Sequence, residues 1–522
     1  MKKIFISAFA ASMLLFTYSC NTDFDNDVTS IAVSKGDADF TKYVALGNSL
    51  TSGYRDNALY LDGQNESYPS MIAAQMKLAG GGEFTQPLMP NNVGGFTDIP
   101  GFLGKYTLKL VDVKDGNNGT VLGQELSPVP SPAAAALDKL SGTYNNMGVP
   151  GAKSFHLVAD GYGSSAGNPY FVRFASSATT SVLKDAMSQK PTFFSLWIGN
   201  NDVLSYATSG GSGKDQTGNL NPSTYGGNDI TDPNVLAGSI KAILDGMKSV
   251  GATKGVIANI PNVENIPFFT TVPVNPLTAY VLGKNNTAVG EAKIDALNAN
   301  LYGPVKQGLT ALGQGGRINL LSKTGGNPLL IKDETLTDLS AQITTVLTPK
   351  VGATTAYAIG KAFGQARQCM AGDLVPLATR LAIGTAPSTT TYPYAVDPLN
   401  AYGVTFPLED AHILIPSEIE AIKKATVAYN NSIKALADSY GLAFVDANAK
   451  MVELSSGSGI QFDGVKYNTT FVNGGSFSLD GVHLTGRGYA IIANEFIKAI
   501  NAKYRSNLPQ VEVNHYSGVT FP

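Results

Sequence analysis

Residues 43–51 read YVALGNSLT, in which an uninterrupted apolar run, Tyr43–Leu46, leads directly into small and polar residues. Three more runs of this kind occur further along the chain, at Phe193–Ile198, Gly255–Ile260 and Leu442–Val445. Each run has the length of a strand and is continuously apolar rather than alternating, which is typical of strands buried on both faces. The four runs therefore predict a mostly parallel sheet that is covered on both sides.

Helical patterns lie between these runs. From Ser417 to Tyr440, apolar and small residues recur three and four positions apart, which places them on one face of a helix. Ser417 and Glu420 predict a capping box at the start of this helix, and Gly441 is placed to end it. Another helix is predicted at about 485–504. Strands that alternate with such helices indicate an α/β fold, a three-layer α/β/α sandwich.

Two segments interrupt the alternation. Residues 84–141 are rich in Gly, Pro and Asn, and within them Tyr106–Gln124 predicts a β-hairpin. Residues 268–412 contain helical patterns and loops where a minimal domain needs only a short connection. We interpret both segments as insertions into one domain, residues 41–522, although the second is long enough to form a small subdomain.

Composition bounds the function. The chain has 522 residues, 43% of them hydrophobic and 15% charged, with a formal net charge of −3. Such a composition is globular, and the length requires either two domains or one domain with large insertions. A net charge this close to zero does not indicate the basic surface that is typical of a nucleic-acid-binding protein. No nucleic-acid partner is predicted.

The N-terminus resembles that of an exported lipoprotein. Lys2 and Lys3 precede a short apolar run, Ile4–Phe16, which suits a signal peptide and is too short to span a bilayer. The segment ending at Cys20 resembles a bacterial lipobox, with Thr17 in place of the usual leucine. We expect a signal peptide at residues 1–19, a lipidated Cys20 and a flexible tether to residue 40, as in an outer-membrane lipoprotein of the cell envelope. An ordinary secretory signal is the alternative.

Polar and glycine-rich segments follow the predicted strands or precede the last helix, where catalytic groups of parallel α/β proteins collect. Four stand out: Gly47-Asn48-Ser49-Leu50, Asn146–Ala152, Gly199–Asp202 and Asp480-Gly481-Val482-His483. Each has an ordinary explanation as a turn or loop. In the last, an Asp three residues before a His can hold one imidazole nitrogen and leave the other free as a base.

In this order, the four segments resemble the conserved blocks of the SGNH hydrolases, the GDSL-like lipases and esterases. The resemblance implies a flavodoxin-like sheet and a triad of Ser49, His483 and Asp480, with Ser49 as nucleophile and His483 as base. It also implies an oxyanion hole formed by the N–H groups of Ser49 and Gly151 and by the Asn201 side chain. One departure is Asn48, where the family usually has aspartate.

Other candidate residues receive ordinary interpretations. We expect His156, His412 and His515 to be structural or exposed, although His156 is close enough to the second segment to line the site. Asp202 is expected to cap the turn after Asn201, and Cys369 is expected to be buried. No residues have metal-ligand or nucleotide-loop spacing, so neither a metal nor a cofactor is predicted.

The predicted function is hydrolysis of carboxylic esters through an acyl-enzyme on Ser49. The sequence does not specify the substrate, which is a small-molecule ester, a lipid ester or an acylated glycan. In the last case the protein would be a carbohydrate O-deacetylase with the same fold. The rival from another class is a non-catalytic surface lipoprotein that binds glycans or a protein partner. The sequence leaves the oligomeric state open.

Overall fold

The computed structural model describes residues 32–114, 120–129 and 138–521. The predicted signal peptide, the lipidation site at Cys20 and the first part of the predicted tether lie outside the described residues, so these features stay predictions. Within the described part of the chain, no helix is both long and apolar enough to cross a membrane.

Eleven strands occur in the described residues: β1 Tyr43–Gly47, β2 Tyr106–Lys114, β3 Thr120–Pro128, β4 Asn146–Gly148, β5 Phe193–Trp197, β6 Gly255–Ala258, β7 Leu330–Lys332, β8 Ala366–Gln368, β9 Ala443–Val445, β10 Ile460–Phe462 and β11 Val465–Tyr467. Five of them form the central sheet in the order β4-β1-β5-β6-β9, and every pair is parallel. All residues of β1, β4, β5 and β6 are buried. The predicted α/β fold with a buried parallel sheet is confirmed.

Strand β4 was not predicted as a strand. Its three residues, Asn146–Gly148, are too few and too polar to produce a periodic pattern, and sequence reasoning treats them as part of a loop. They become a strand because they pair with β1, with Ala45 opposite Asn146 and Gly47 opposite Gly148. The pairing places the glycine-rich segment at the edge of the sheet, directly beside Ser49.

The helices of the described residues have these bounds: Ser49–Ser52, Leu61–Asn65, Tyr68–Leu78, Pro169–Val172, Val182–Ser188, Asn201–Thr208, Pro233–Ser249, Pro267–Thr270, Ala279–Leu282, Thr287–Leu297, Gly303–Ala311, Ser340–Val351, Ala353–Phe363, Pro416–Ser439, Ala447–Ser455 and Gly486–Tyr504. Helix Gly486–Tyr504 packs on Tyr68–Leu78 and on β9, while Pro416–Ser439 packs on Pro233–Ser249. Both long predicted helices are confirmed.

The predicted capping box of the helix Pro416–Ser439 is wrong. The helix begins at Pro416, whose missing N–H costs nothing at the first helical position. Ile415 therefore precedes the helix, and its N–H donates to the Glu418 carboxylate at 2.8 Å. Ser417 and Glu420 lie inside the first turns instead. The end is as predicted, because Gly441 adopts a φ of +66° immediately after it.

The two segments interpreted as insertions have different architectures. In the first, β2 and β3 pair as an antiparallel hairpin, which confirms the predicted hairpin and extends it to Pro128. In the second, buried side chains between Val272 and Ile415 form a hydrophobic cluster separate from the one around the central sheet. This second cluster includes Cys369, which is buried as expected.

Candidate active site

Ser49 lies at the end of β1 and is the first residue of a one-turn helix, Ser49–Ser52. Asn48 caps this helix by accepting a hydrogen bond from the Leu50 N–H at 3.0 Å. Gly47 is required for the turn, because a Cβ there would lie 2.1 Å from the Thr51 hydroxyl and 2.4 Å from the Trp197 carbonyl oxygen. The strand, the glycine and the cap together set the position of the Ser49 hydroxyl.

The structure brings Ser49 and His483, 434 positions apart in the chain, into hydrogen-bond contact. The distance from His483 Nε2 to Ser49 Oγ is 2.9 Å. On the other side of the ring, His483 Nδ1 lies 2.9 Å from Asp480 Oδ2. The three side chains therefore form a continuous chain from carboxylate to imidazole to hydroxyl, the geometry of a nucleophile with an oriented base.

Asp480 is held in its ionised form. Burial acts to raise the pKa of Asp480, but the charge of His483 and several N–H donors outweigh burial and lower this pKa to about 2. The backbone donors that lower this pKa are the His483 N–H, 2.8 Å from Asp480 Oδ1, and the Asn57 N–H, 2.9 Å from Asp480 Oδ2. A carboxylate that accepts several backbone N–H groups stays charged at low pH.

Asp56 and Asn57 hold the Asp480 loop from the opposite side, and sequence reasoning missed both. The Asn57 N–H donates to Asp480 Oδ2 at 2.9 Å, and Asp56 Oδ1 accepts the Leu479 N–H at 3.0 Å. Both residues have positive φ, +53° and +63°. Asp and Asn tolerate a left-handed backbone, so the sequence could have predicted a turn at Asp56-Asn57. Nothing in the sequence indicated that this turn contacts the loop that contains Asp480.

Three of the residues that line the cleft carry candidate hydrogen-bond donors. In the described residues, neither the Ser49 N–H nor the Gly151 N–H has a hydrogen-bond partner. The Asn201 side-chain amide donates one hydrogen to the Ala152 carbonyl oxygen at 2.9 Å, and its second hydrogen has no partner among the residues that the structure describes. All three residues line one cleft, and together they can stabilise a developing oxyanion.

Asp202 does not cap the turn after Asn201 as expected. It is fully buried and accepts from the Ser154 N–H at 2.8 Å and from the Ser154 hydroxyl at 2.7 Å. Asp202 therefore ties the segment Gly199–Asp202 to the segment that contains Gly151. Burial raises the pKa of Asp202, and nothing places this carboxylate in the cleft.

The cleft has a volume of about 320 Å³. Its lining combines polar side chains with apolar ones such as Phe102, Tyr170 and Leu204. The centre of the Tyr54 ring lies 4.7 Å from the centre of the His483 ring. Phe102 belongs to the first insertion. The second insertion contacts the segment Asp480–His483, where the Phe268 N–H donates to the Gly481 carbonyl oxygen at 2.9 Å, but none of its described residues lines the cleft.

The other histidines lie apart from the cleft. His156 was a candidate for lining it, but its Nδ1 accepts the Lys153 N–H and its ring stacks on Tyr162. Burial, with help from the charge of Lys153, lowers the pKa of His156 to about 4. His515 is exposed and pairs with Glu512 at 2.9 Å, a surface pair with the same spacing as His483 and Asp480.

The described residues contain no group of three or more His, Cys, Asp or Glu side chains that could hold a metal ion. In the comparisons with known proteins, the chain matches no protein-family model and no curated protein. The structure itself shows an α/β protein with a five-stranded parallel sheet and a Ser-His-Asp arrangement at one edge of that sheet.

Proposed function

We propose that this protein is a serine esterase of the SGNH type, which hydrolyses carboxylic esters through an acyl-enzyme. One observation carries the proposal: the Ser49 hydroxyl lies 2.9 Å from His483 Nε2, while Asp480 holds the other ring nitrogen. The four segments that resemble SGNH hydrolases all contribute to one cleft. Their convergence supports the family resemblance independently of sequence identity.

The first half of the reaction acylates Ser49. His483 donates Nδ1–H to the ionised Asp480, so its Nε2 has a free lone pair and accepts the Ser49 proton. Ser49 Oγ then bonds to the ester carbonyl carbon, and the resulting oxyanion is bound by the N–H groups of Ser49 and Gly151 and by the Asn201 amide. His483 returns the proton to the alkoxide oxygen, the carbon–oxygen bond breaks, and the alcohol leaves.

The second half regenerates the enzyme. A water molecule transfers a proton to His483 Nε2 and attacks the acyl carbon, and the same three donors bind the second oxyanion. The proton then passes to Ser49 Oγ as the acyl–oxygen bond breaks. The products are a carboxylic acid and a free hydroxyl on Ser49. His483 thus acts as base and then as acid in each half, and the Ser49 N–H, the Gly151 N–H and the Asn201 amide bind both oxyanions.

A fluorophosphonate probe and p-nitrophenyl acetate test the proposal. The probe should label Ser49 in the folded protein, and Ser49→Ala should lose labelling and about a million-fold of turnover, as in triads that act as a unit. His483→Ala should lose a comparable factor. His515→Ala is the matched control, since it removes a histidine with a carboxylate at the same spacing on the surface. It should keep full activity.

The rival proposal, a non-catalytic protein that binds glycans or a partner, makes the opposite prediction. Folded protein that neither reacts with the probe nor hydrolyses the acetate would support the rival. Near-normal activity of Ser49→Ala would show that another residue is the nucleophile. Circular dichroism of each variant separates loss of the triad from loss of the fold.

A further inference from the structure

Tyr54 lies beside the imidazole of His483 and is part of the cleft lining. The centre of its ring is 4.7 Å from the centre of the imidazole, and the two ring planes are inclined by 53°. The proton transfers between Ser49 and His483 involve no atom of Tyr54. A role for Tyr54 in the reaction must therefore come through the groups that it contacts.

The backbone of Tyr54 is bound to the turn that carries the nucleophile. Its N–H donates to the Ser49 carbonyl oxygen at 3.0 Å, and its carbonyl oxygen accepts the Tyr489 hydroxyl at 2.5 Å. Tyr489 is fully buried and belongs to the helix Gly486–Tyr504. The Tyr54 backbone is therefore held between the Ser49 turn and the helix that follows His483.

The hydroxyl of Tyr54 is bound to the turn that supports the Asp480 carboxylate. It donates to the Asn57 carbonyl oxygen at 2.6 Å, and the Asn57 N–H donates to Asp480 Oδ2 at 2.9 Å. Burial, together with nearby Tyr170 and Asp480, raises the pKa of Tyr54 well above its ordinary value. The phenol therefore stays neutral and keeps the proton that it donates. Because Tyr54 is bound at its backbone and at the end of its side chain, its ring has a fixed position.

A carboxylate three residues before a histidine does not by itself restrain the imidazole. His515 and Glu512 have the same spacing as His483 and Asp480 and the same 2.9 Å contact, but the His515 side chain is 77% exposed, compared with 15% for His483. Within the part of the chain that the structure describes, no aromatic ring packs on His515. An exposed pair of this kind contributes little, because water competes for both partners. The packed Tyr54 ring and the lower exposure distinguish His483 from this surface pair.

The proposed reaction needs the His483 ring in one orientation. Its Nε2 takes the proton of Ser49 and then delivers it to the leaving oxygen, and each transfer requires a distance of about 3 Å. Misplacement of a reacting group by about 1 Å can cost about a hundredfold in rate. An aromatic ring beside the imidazole limits its rotation without using either nitrogen. Nδ1 thus stays available to Asp480, and Nε2 stays available to Ser49.

We infer that Tyr54 is a positioning residue whose ring holds the imidazole of His483 between Asp480 and Ser49. The inference rests on the proposed esterase function for its effect on the reaction, and it adds a residue that acts through the triad. The restraint on the imidazole is a property of the folded protein and can be measured without any reaction.

Two variants of Tyr54 separate the ring from the hydroxyl. On p-nitrophenyl acetate, Tyr54→Leu should lower kcat and kcat/KM equally, by at least about tenfold, the pattern of an interaction that matters in the transition state. Tyr54→Phe should keep most of the native kcat, because the ring and both backbone hydrogen bonds remain. Tyr402→Leu is the matched control and should keep the native kcat. The Tyr402 ring packs on His412 at 5.6 Å and 55°, in the second insertion and outside the cleft lining.

Proton NMR of the resting protein measures the restraint directly. In protein with isotope-labelled histidine, the Nδ1–H of His483 should give a low-field signal, because its hydrogen bond to buried Asp480 slows exchange with water. Its absence from His483→Ala assigns the signal. The signal should be lost or broadened in Tyr54→Leu, where the imidazole is free to turn towards water. It should remain in Tyr54→Phe and in Tyr402→Leu.

The outcomes separate the positioning role from the proposed function. A native kcat in Tyr54→Leu, or an equal loss in Tyr54→Phe, would overturn the inference. A His483 signal that is missing from the native protein, or that is unchanged in Tyr54→Leu, would overturn it as well. Absence of native activity on p-nitrophenyl acetate would overturn the proposed function, while the His483 signal would still decide whether Tyr54 restrains the imidazole.

Circular dichroism shows whether each variant is folded. Tyr54→Met, whose flexible side chain adapts to the space that the ring leaves, takes the place of Tyr54→Leu where the latter does not fold. The expected losses of kcat and of the His483 signal are the same for both variants, since neither has an aromatic ring.

Discussion

Asn48 makes two hydrogen bonds of opposite polarity. Its side-chain oxygen accepts from the Leu50 N–H, while its amide donates to Asn200 Oδ1 at 3.1 Å. An aspartate, which the family resemblance would place here, can make the first bond but not the second, because an ionised carboxylate has no donor. Asparagine at position 48, where the family resemblance would place aspartate, therefore has a hydrogen-bond acceptor for its amide in Asn200. This bond links the Ser49 turn to the segment that contains Asn201.

Asp480 predicts how stability depends on pH. Its pKa of about 2 in the folded protein lies below its ordinary value of 3.8, so its ionisation stabilises the fold above about pH 4. This contribution is lost as the pH falls from about 4 towards 2. Between about pH 5 and pH 3, the native protein should lose about 1 kcal/mol more than Asp480→Asn, which cannot titrate. Urea unfolding at both pH values measures the difference.

A parallel loss of stability in native protein and Asp480→Asn would contradict the assigned pKa. The same variant should be nearly inactive on p-nitrophenyl acetate at every pH, because an amide favours the wrong imidazole tautomer. The two readouts are independent, since one measures the equilibrium between folded and unfolded protein and the other measures the rate of the reaction.

At the scale of elements, the segment after β4 shows how backbone conformation can serve chemistry. Gly151 lines the cleft and has a φ of +80°, a left-handed backbone conformation. A Cβ at this position would meet only Asn168 Nδ2, at 3.8 Å, which is an ordinary contact. Substitution at Gly151 is therefore opposed by backbone strain and not by lack of space.

Gly151→Ala and Gly161→Ala form a matched pair. Gly161 has nearly the same φ, +81°, and no atom near the place of a Cβ. Both variants should lose about 1–2 kcal/mol of unfolding free energy, the cost of alanine in the left-handed region. Only Gly151→Ala should also lose activity, by up to about a hundredfold, because relaxation of its backbone moves an oxyanion donor. Urea unfolding and p-nitrophenyl acetate kinetics measure the two effects. Equal activities of the two variants would remove Gly151 from the oxyanion hole.

At the scale of the whole molecule, two hydrophobic clusters share one chain. The cluster within residues 272–415 contains a buried ion-pair network in which Arg367 contacts Asp333 at 2.6 Å and Asp373 at 2.7 Å. Both carboxylates are buried, and these contacts raise the pKa of Arg367. Since the described residues of this cluster lie outside the cleft, it contributes to stability more than to chemistry.

Arg367→Met should destabilise the protein strongly. Removing the guanidinium leaves two buried carboxylates without a cation, a loss that typically costs about 3–5 kcal/mol. Exposed Arg380→Met is the control and should change the unfolding free energy little. Protein that remains folded at low temperature should hydrolyse p-nitrophenyl acetate at the native rate. An Arg367→Met variant as stable as the native protein would mean that the two carboxylates become neutral or hydrated at little cost.

Local patterns predicted most of the architecture. Continuous apolar runs identified β1, β5, β6 and β9, because strands buried on both faces need apolar side chains at every position. Apolar residues three and four positions apart identified the helices Pro416–Ser439 and Gly486–Tyr504, because this spacing places them on the buried face of a helix. The edge strand β4 escaped, since its strand character comes from pairing with β1 and not from its own three residues.

The sequence by itself predicted the parallel sheet, because each buried strand is a short continuous apolar run. It also singled out five candidate site residues, because each lies in a short motif of neighbouring residues: Ser49, Gly151, Asn201, Asp480 and His483. Only the tertiary structure decided that Ser49 and His483 are in hydrogen-bond contact, that Asp56 and Asn57 hold the Asp480 loop, and that Asp202 accepts hydrogen bonds from Ser154. Such contacts join positions far apart in the chain, and they depend on how whole elements pack, which short-range patterns do not encode.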